Sequence, residues 1–427
     1  MQTGEELEAQ AWAVFGGGAS SPVRAGRRVG GVPFFQQAGA GALAYDHTGR
    51  AYIDYVMGYG PLLFGYRMPG SERVKAQFDT GVLFGSTHHA EIRLAERIRG
   101  HLPSMERLRF TTTGTEAVMG AVRVARAATK RSGLVRFGGN YHGHTDIALL
   151  DAGASAETSA PQAAGIPAGV ARDVHVLPYN DLPSLEALLA CEGEQIAAVL
   201  LEPVVGNMGL VLPVPGFLEG VLSAAHAAGA LVIFDEVISW LRLGLGGAQG
   251  RLGLQPDLTT IGKILGGGLP IAAFGGRADL LACLAPQGPV FTGGTHAGHP
   301  LAVAAGHAVL DELEGQPELY DTMRRRAEYL AQGLQRLFTR YGYPYQVVWL
   351  ESIVDFKFRP GDPIRDYTQA KEAKAEVFAR YYHAMRERGI LLAPSYNEVM
   401  FLSTEHTDAQ VEETLRAAEG ALLAIKH

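Results

Sequence analysis

The run Leu231-Val232-Ile233-Phe234-Asp235-Glu236-Val237 decides the fold. Its apolar start is too short for an ordinary helix and fits a strand that is buried on both faces. An aspartate follows at the carboxyl end, where open α/β sheets gather their ligand groups. A second run, Thr259 to Gly268, carries Lys263 between β-prone residues and a glycine cluster. We therefore expect a carboxylate and an amine at neighbouring strand ends.

An aspartate and a lysine placed in this way are the pair that pyridoxal 5'-phosphate (PLP) chemistry requires. The lysine forms the imine with the cofactor, and the aspartate keeps the pyridine nitrogen protonated, so that the ring can accept carbanion electrons. Each motif also has a plainer interpretation. An acid after a strand is often a helix cap or half of an ion pair, and a lysine before glycines often marks only a turn.

The chain length sets the expected domain organisation. At 427 residues the chain exceeds what one hydrophobic core usually organises. We expect a large PLP-binding domain at residues 61–310 and a smaller α+β domain at residues 311–427. Residues 1–60 should form a leading segment with short strands that packs with the small domain.

Composition limits the partners and the compartment. The net charge is −7 and the pI is near 6.1, without a basic cluster, so we predict no nucleic-acid partner. Cys191 and Cys283 lie far apart and outside any metal-ligand spacing, which favours a reducing, cytoplasmic location. The acidic start, Met1 to Ala11, does not resemble a secretory signal, and no apolar stretch has the length of a membrane span.

Hydrophobic periodicity predicts the elements. Helical and strand patterns alternate through residues 61–310, which indicates a mainly parallel sheet covered by helices on both faces. The predictions outside this region are a helix at Glu5 to Phe15, strands at Val32 to Phe35, Ala42 to Tyr45 and Tyr52 to Tyr55, a helix at Glu318 to Arg340, strands within Gln346 to Lys357, a helix at Asp366 to Arg388, and a last helix that Thr407 and Gln410 cap.

Two segments are candidate anion sites. Thr113-Gly114-Thr115 lies between a strand and a helix, where unpaired N–H groups point outward. The plainer interpretation is an ordinary helix N-cap. Gly288 to Thr295 is a second cluster of hydroxyl residues and glycines.

The small, polar loop from Ala152 to Gly169 fits a mobile lid or a plain surface excursion equally well.

Further polar residues follow the other predicted strands. Tyr141 can lie flat against a cofactor ring, whereas His142 and His144 have no companions at metal-ligand spacing, so we reject a metal site. Glu202 and Asn207 follow another buried strand and should reach the same edge as Asp235. Arg24, after a stiffening proline, can clamp a carboxylate or simply lie in solvent. The loop from Leu391 to Glu398 can reach back to the same site.

Several segments together carry a family resemblance: Ser21-Pro22-Val23-Arg24, Tyr141-His142-Gly143-His144, Glu202 to Gly209, Asp235-Glu236-Val237, Gly246-Gly247-Ala248-Gln249, Gly262-Lys263 and Ala393-Pro394-Ser395. Over nearly the whole chain they resemble the fold-type I PLP enzymes of the class III aminotransferase family. The resemblance implies an α/β fold with a mainly parallel large-domain sheet. The segments are most similar to the branch that converts glutamate-1-semialdehyde to 5-aminolevulinate for tetrapyrroles, by intramolecular amino transfer through PLP and pyridoxamine phosphate (PMP).

The resemblance also implies roles for the matching residues. Lys263 would form the imine and move a proton between cofactor and substrate, and Asp235 would pair with the pyridine nitrogen. Val237 and Tyr141 would lie on the two ring faces, and His142, Glu202 and Asn207 would also contact the cofactor. Thr113, Gly114 and Thr115 would hold the phosphate. Thr295 would reach the phosphate from the second subunit of a homodimer. The substrate would contact Ser21, Arg24, Tyr59 and Glu398.

Three functions stay open on the sequence. The first is the amino transfer within glutamate-1-semialdehyde, which Ser21 to Arg24 and Asn207 to Gly209 favour. The second is an aminotransferase that exchanges an amine between a β- or ω-amino acid and a keto acid. Departures from the family pattern at His88-His89 and Phe291 favour this second function. The third is a binding module that has lost catalysis, which the intact Lys263 argues against.

Overall fold

The computed structural model describes residues 2–150, 164–343 and 347–426. The strands are β1 Gln36–Ala40, β2 Leu43–Asp46, β3 Ala51–Asp54, β4 Arg107–Thr111, β5 Gly133–Phe137, β6 Val174–Leu177, β7 Ile196–Leu201, β8 Leu231–Asp235, β9 Leu258–Ile261, β10 Ala272–Gly276, β11 Val348–Leu350, β12 Ile353–Asp355, β13 Ile390–Leu391 and β14 Met400–Phe401.

The α-helices are α1 Gly4–Val14, α2 Ser71–Thr80, α3 His89–His101, α4 Gly114–Thr129, α5 Ala168–Arg172, α6 Leu182–Glu192, α7 Phe217–Ala227, α8 Gly247–Leu252, α9 Ala278–Leu281, α10 Pro300–Gly315, α11 Glu318–Arg340, α12 Tyr367–Ala370, α13 Ala375–Glu387 and α14 Asp408–Ile425. Short 3-10 turns include Pro22–Ala25, Met57–Tyr59 and Lys263–Gly266. No helix in the described ranges is long and apolar enough to cross a bilayer.

The largest sheet has seven strands in the order β4-β10-β9-β8-β7-β5-β6. The pairs β9-β8, β8-β7, β7-β5 and β5-β6 are parallel, and β10 runs antiparallel to both of its neighbours. The predicted α/β fold with a mainly parallel sheet is therefore confirmed.

The side chains of β8 explain why helices cover both faces of this sheet. Val232 and Phe234 pack with α6 and α7 in one apolar cluster, and Leu231 and Ile233 pack with α4 in another. Successive residues of a strand point to opposite faces, so a strand that is apolar at every position needs a partner layer on each side. This packing fixes β8 in the centre of the sheet.

The register of β8 and β9 brings the two key residues to one edge. Asp235, the last residue of β8, pairs with Thr260 of β9. Lys263 begins the 3-10 turn that follows β9. Because the two strands are parallel, both side chains leave the sheet at its carboxyl edge.

Two smaller sheets lie outside the large one. Strands β1, β2 and β3 form an antiparallel meander, and β13 joins it in parallel beside β3. Strands β11, β12 and β14 form an antiparallel sheet. Residues from both ends of the chain thus share one sheet. The division into domains at residues 60 and 310 stays a prediction.

Two predicted elements are wrong. The strand expected at Val32 to Phe35 lies instead at Gln36–Ala40, because Pro33 cannot donate to a ladder and because β1 is exposed at every position and so has no alternating signal. The helix expected from Asp366 to Arg388 is split into α12 and α13. The backbone N–H of Lys374 donates to the carbonyl of Phe358 at 3.0 Å, which draws the chain out of helical geometry.

Candidate active site

Asp235 and Lys263 face one cavity of about 360 Å³ at the carboxyl edge of the large sheet. The cofactor-side residues that the sequence singled out line this cavity, except Thr295: they are Thr113, Gly114, Thr115, Tyr141, His142, Glu202, Asn207, Asp235, Val237 and Lys263. The sheet topology therefore collects residues from five separate strand ends around one space.

Hydrogen bonds hold the Asp235 carboxylate in one orientation. Its Oδ1 accepts from the backbone N–H of Val237 at 3.1 Å and from Oγ1 of Thr260 at 3.0 Å, and its Oδ2 lies 2.7 Å from Nδ1 of His142. Burial lowers the pKa of His142, so the imidazole is neutral and donates from Nδ1. A carboxylate with these donors is pre-oriented for a positively charged partner.

Lys263 is held in an unusual conformation. Its φ is 44°, in the left-handed region that residues with side chains rarely adopt. Its Nζ donates to the carbonyl of Tyr59 at 2.7 Å. Burial lowers the pKa of Lys263, and the nearby carboxylates of Glu398, Glu202 and Asp235 oppose this effect. Burial therefore favours the neutral amine, which is the form that acts as a nucleophile and a base.

The start of α4 has the form of an anion site. Oγ1 of Thr113 caps the helix by accepting from the N–H of Glu116, and the Glu116 carboxylate returns the bond to the N–H of Thr113 at 3.0 Å. The N–H groups of Gly114 and Thr115 lie in the first turn of α4, where no carbonyl of the helix can accept from them. They remain available to an anion in the cavity.

Two glycines allow the backbone to close around this helix start. A Cβ on Gly114 would lie 3.2 Å from Val237. A Cβ on Gly143 would lie 2.4 Å from Oγ1 of Thr115, and φ of Gly143 is 88°. A side chain at either position would occupy part of the cavity wall.

Glu202 organises the opposite wall. Its Oε1 accepts from the N–H of Tyr141 at 2.8 Å and from Nδ2 of Asn207 at 2.9 Å, and its Oε2 accepts from the N–H of Gly206 at 2.9 Å. Burial raises the pKa of Glu202 to about 7, and the charge of Asp235 adds to this effect. Because Asn207 donates to Glu202, its carbonyl oxygen is left as an acceptor.

Glu202 should make stability depend on pH. Its native pKa of about 7 exceeds the ordinary 4.5, so its contribution is fully present below pH 4.5 and is lost as the pH rises through 7. The loss is about 3 kcal/mol. We expect the melting temperature of the apoprotein to fall between pH 5 and pH 8, and to fall less in Glu202→Gln than in the wild type. Equal losses in the two proteins would show that Glu202 does not titrate in this range.

The predicted substrate residues lie elsewhere. Arg24 and Tyr59 line a second cavity of about 350 Å³, which adjoins the first where Lys263 meets the Tyr59 carbonyl. Ser21 lies on the wall of neither cavity. Glu398 interacts electrostatically with Lys263, and burial raises its pKa. The structure thus places Tyr59 and Glu398 beside Lys263, places Arg24 with Tyr59 on the second cavity, and leaves Ser21 on neither wall.

Other predictions fall outside this pair of cavities. Thr295 is exposed and lies on neither wall. Most of the predicted lid at Ala152 to Gly169 lies outside the described residues, and its last residues begin α5. Within the described ranges no group of three His, Cys, Asp or Glu side chains is arranged to hold a metal ion.

Sequence reasoning missed two residues and one backbone group. Thr260 donates to Asp235, and its position in a strand beside that residue was the available signal. Arg242 is buried behind the Lys263 site, and its single charge within an apolar run was a weak signal. The backbone group is the Tyr59 carbonyl, which accepts from Lys263, and no residue type in the sequence indicates such a role.

Three chemical features come together in the first cavity. One end suits an anion, because helix N–H groups point into it, and a carboxylate on the same cavity suits an aromatic cation. A lysine amine is available to bind an aldehyde. On a sheet of this topology these features define the fold-type I class of PLP enzymes.

Comparison of sequences identifies the family. The model of the class-III aminotransferases matches residues 25–422, so the chain belongs to this family, as predicted. A glutamate-1-semialdehyde 2,1-aminomutase from Roseiflexus castenholzii is 44% identical over 99% of this chain and 98% of its own length. One from Desulforudis audaxviator is 45% identical over 97% of this chain and 96% of its own length.

Solved structures agree with this fold. An omega-transaminase from Sphaerobacter thermophilus superposes with a TM-score of 0.91 at 33% identity, covering 100% of this chain and 98% of that one. A glutamate-1-semialdehyde aminomutase from Pseudomonas aeruginosa PAO1 in complex with PMP superposes with a TM-score of 0.87 at 25% identity, covering 99% and 94%.

Proposed function

We propose that this protein converts glutamate-1-semialdehyde to 5-aminolevulinate by intramolecular amino transfer, in tetrapyrrole biosynthesis. The observation that carries the proposal is that Lys263 and Asp235 face one cavity with the start of α4. The curated relatives at 43–46% identity with the printed name glutamate-1-semialdehyde 2,1-aminomutase support the substrate. A cytoplasmic location stays a prediction from the sequence.

The residues of the first cavity fit PLP. The free N–H groups of Gly114 and Thr115 suit its phosphate, and the Asp235 carboxylate suits its protonated ring nitrogen. Val237 and Tyr141 supply flat or apolar surface for the ring, and both line the cavity. Gly114 leaves open the space that a Cβ would fill. We infer that these residues hold the cofactor.

When bound, PLP supplies an electron sink that stabilises a carbanion at the substrate carbon. The chain has to supply the proton transfers. Lys263 is the candidate base, because burial lowers the pKa of its amine and because it faces the cavity. Both halves of an intramolecular amino transfer are 1,3-proton shifts, so one amine can serve each of them.

The second cavity is the candidate substrate site. Arg24 on its wall offers a guanidinium to a carboxylate, and Tyr59 offers a ring beside it. Glu398 is close enough to Lys263 for their charges to interact, which suits the amino end of the substrate. The role predicted for Ser21 has the least support, since Ser21 lies on neither cavity wall.

We propose a homodimer with active sites at the interface. Thr295 is exposed on a loop near Phe291, which is itself 73% exposed. Exposed apolar residues at Phe78, Val82, Leu83 and Phe84 support a covering partner, because large exposed apolar patches mark interaction sites. Sedimentation velocity of the full chain tests this proposal, and a monomer at micromolar concentration would contradict it.

Single-turnover conversion tests the function. Protein loaded with PMP should convert glutamate-1-semialdehyde to 5-aminolevulinate without any added amino donor. Lys263→Ala is the control, and it should give no product. Product that appears only when a keto acid and an amino donor are supplied would contradict the proposal.

That outcome would favour a class III aminotransferase acting on a β- or ω-amino acid with a keto-acid acceptor. The TM-score of 0.91 to an omega-transaminase and of 0.86 to a beta-phenylalanine aminotransferase from Variovorax paradoxus supports this second candidate. The tetrapyrrole function has the support of closer sequences.

A further inference from the structure

Four consecutive residues after β3 have positive φ: Met57, Gly58, Tyr59 and Gly60, at 46°, 63°, 67° and 109°. Two of them carry side chains, and a left-handed conformation is strained for such residues. A run of this kind persists only where its surroundings hold it. We call residues 57–60 the left-handed turn.

Asp54 holds the start of the left-handed turn. Its Oδ1 accepts from the N–H of Val56 at 2.7 Å and of Met57 at 3.3 Å, and its Oδ2 accepts from the hydroxyl of Tyr66 at 2.8 Å. The carboxyl group is buried. It therefore takes the place of the backbone acceptors that a helix would have supplied.

Arg242 holds the end of the left-handed turn. Its Nη2 donates to the carbonyl of Gly60 at 2.6 Å, and its Nη1 donates to the carbonyl of Leu402 at 2.7 Å and to Oγ of Ser352 at 3.1 Å. The side chain is fully buried, and burial lowers its pKa to about 9. Its partners carry no negative charge, and its Nε has no hydrogen-bond partner among the described residues. A buried cation in such surroundings is costly to desolvate, and the three fixed acceptors compensate for part of that cost.

These contacts fix the position of the Tyr59 carbonyl. The Tyr59 carbonyl, adjacent to Gly60, accepts from Nζ of Lys263 at 2.7 Å. A Cβ on Gly60 would lie 3.5 Å from Cδ of Lys263 and 3.3 Å from Phe401. The chain of contacts thus runs from Arg242 through Gly60 and Tyr59 to the lysine amine.

We propose that Arg242 is a positioning residue, which fixes the left-handed turn so that the Tyr59 carbonyl holds the free Lys263 amine toward the cofactor cavity. The inference rests on the proposed function, in which this amine would hold the cofactor. A long lysine side chain has many rotamers, and one fixed acceptor removes most of them before reaction. Misplacing a reacting group by about 1 Å can cost 10²-fold in rate.

The test uses the full-length apoprotein and pyridoxal, which lacks the phosphate and therefore reports on the amine alone. The rate of covalent adduct formation is followed by visible absorbance at saturating pyridoxal across pH, and borohydride trapping with peptide mapping locates the adduct. The variants are Arg242→Met, Arg242→Lys, Gly60→Ala and the double variant R242M/G60A. Arg324→Met is the matched control, since Arg324 is a half-exposed arginine that pairs with the exposed Asp321 three positions earlier on α11.

We expect Arg242→Met to slow adduct formation by at least about 10-fold. The pH midpoint of the rate should rise, because the charge of Arg242 lowers the pKa of Lys263 against the carboxylates of Glu398, Glu202 and Asp235. Arg242→Lys should restore the midpoint and only part of the rate, because an ammonium lacks the planar fork that reaches two carbonyls.

Gly60→Ala should lower the rate without raising the midpoint, because a φ of 109° disfavours an alanine and because displacing the Tyr59 carbonyl removes an acceptor from the Lys263 ammonium. The double variant should be no slower than the slower single variant, because both changes act through one carbonyl. The control should match the wild type.

Wild-type rates and midpoints in both Arg242→Met and Gly60→Ala would overturn the positioning role while leaving the function intact. A wild-type protein that forms no adduct at Lys263 would instead overturn the proposed function. Should Arg242→Met fail to fold, Arg242→Lys and Gly60→Ala decide the question. A wild-type rate in both of these variants contradicts the inference, and a reduced rate in both supports it.

Discussion

Replacing Lys263 with alanine is expected to abolish covalent cofactor binding and to lower turnover by at least about 10⁴-fold. The expectation follows from two functions that the residue combines. Its amine is the candidate nucleophile for the cofactor aldehyde, and it is the candidate base for both proton shifts. In the described ranges it is the lysine that lines the cavity with Asp235.

The measurement is reduction of the holoprotein with borohydride, followed by peptide mapping, together with the rate of 5-aminolevulinate formation. Wild-type protein should carry the reduced cofactor on Lys263, and the variant should carry none. Lys75→Ala is a suitable control, because Lys75 is exposed and pairs with Glu72 on the same helix. A reducible adduct that persists in Lys263→Ala would remove the residue from its assigned role.

Much of the large sheet could be predicted because its signals are local. Strand β7 is apolar along its whole length, and all six residues are buried. The starts of α4 and α14 follow from capping boxes, Thr113 with Glu116 and Thr407 with Gln410. These features depend on residues at most three or four positions apart, so the chain read in order contains them.

The wrong and missing elements depend on distant contacts. The break between α12 and α13 comes with a bond from Lys374 to Phe358. The left-handed turn is held by Arg242, 182 positions away from Gly60. No periodicity reports such a contact, and Met57 and Tyr59 do not carry the usual mark of a positive φ, which is glycine.

The candidate site also has a part that the sequence predicts and a part that it does not. The residue types that PLP chemistry needs could be read from strand ends, and the sheet topology then brought them together. The groups that orient them could not be read, because two of the acceptors are backbone carbonyls. Lys263 itself has a φ of 44°, so the backbone departs from the usual preference of a non-glycine residue at the candidate nucleophile.

Asp235→Asn is expected to lower turnover by about 10²–10³-fold while the protein keeps its fold. The variant keeps the shape of the side chain and removes its charge. Its remaining oxygen can still accept from Val237 and Thr260, which bond Oδ1 in the wild type. The new amide would face Nδ1 of His142, and this neutral imidazole can move its proton to Nε2, which has no hydrogen-bond partner among the described residues.

The loss should therefore report on charge rather than on structure. Thr260→Val is the matched control, since it removes one hydrogen bond to the same carboxylate and leaves the charge; its turnover should fall less than about 10-fold, the worth of a single hydrogen bond. A PLP analogue methylated at the ring nitrogen carries a fixed positive charge and should recover part of the lost turnover in Asp235→Asn. Full activity of Asp235→Asn with ordinary PLP would contradict the role of Asp235. No recovery with the analogue would place the defect in the geometry of the site, because the electron sink would then be intact and the rate would still be low.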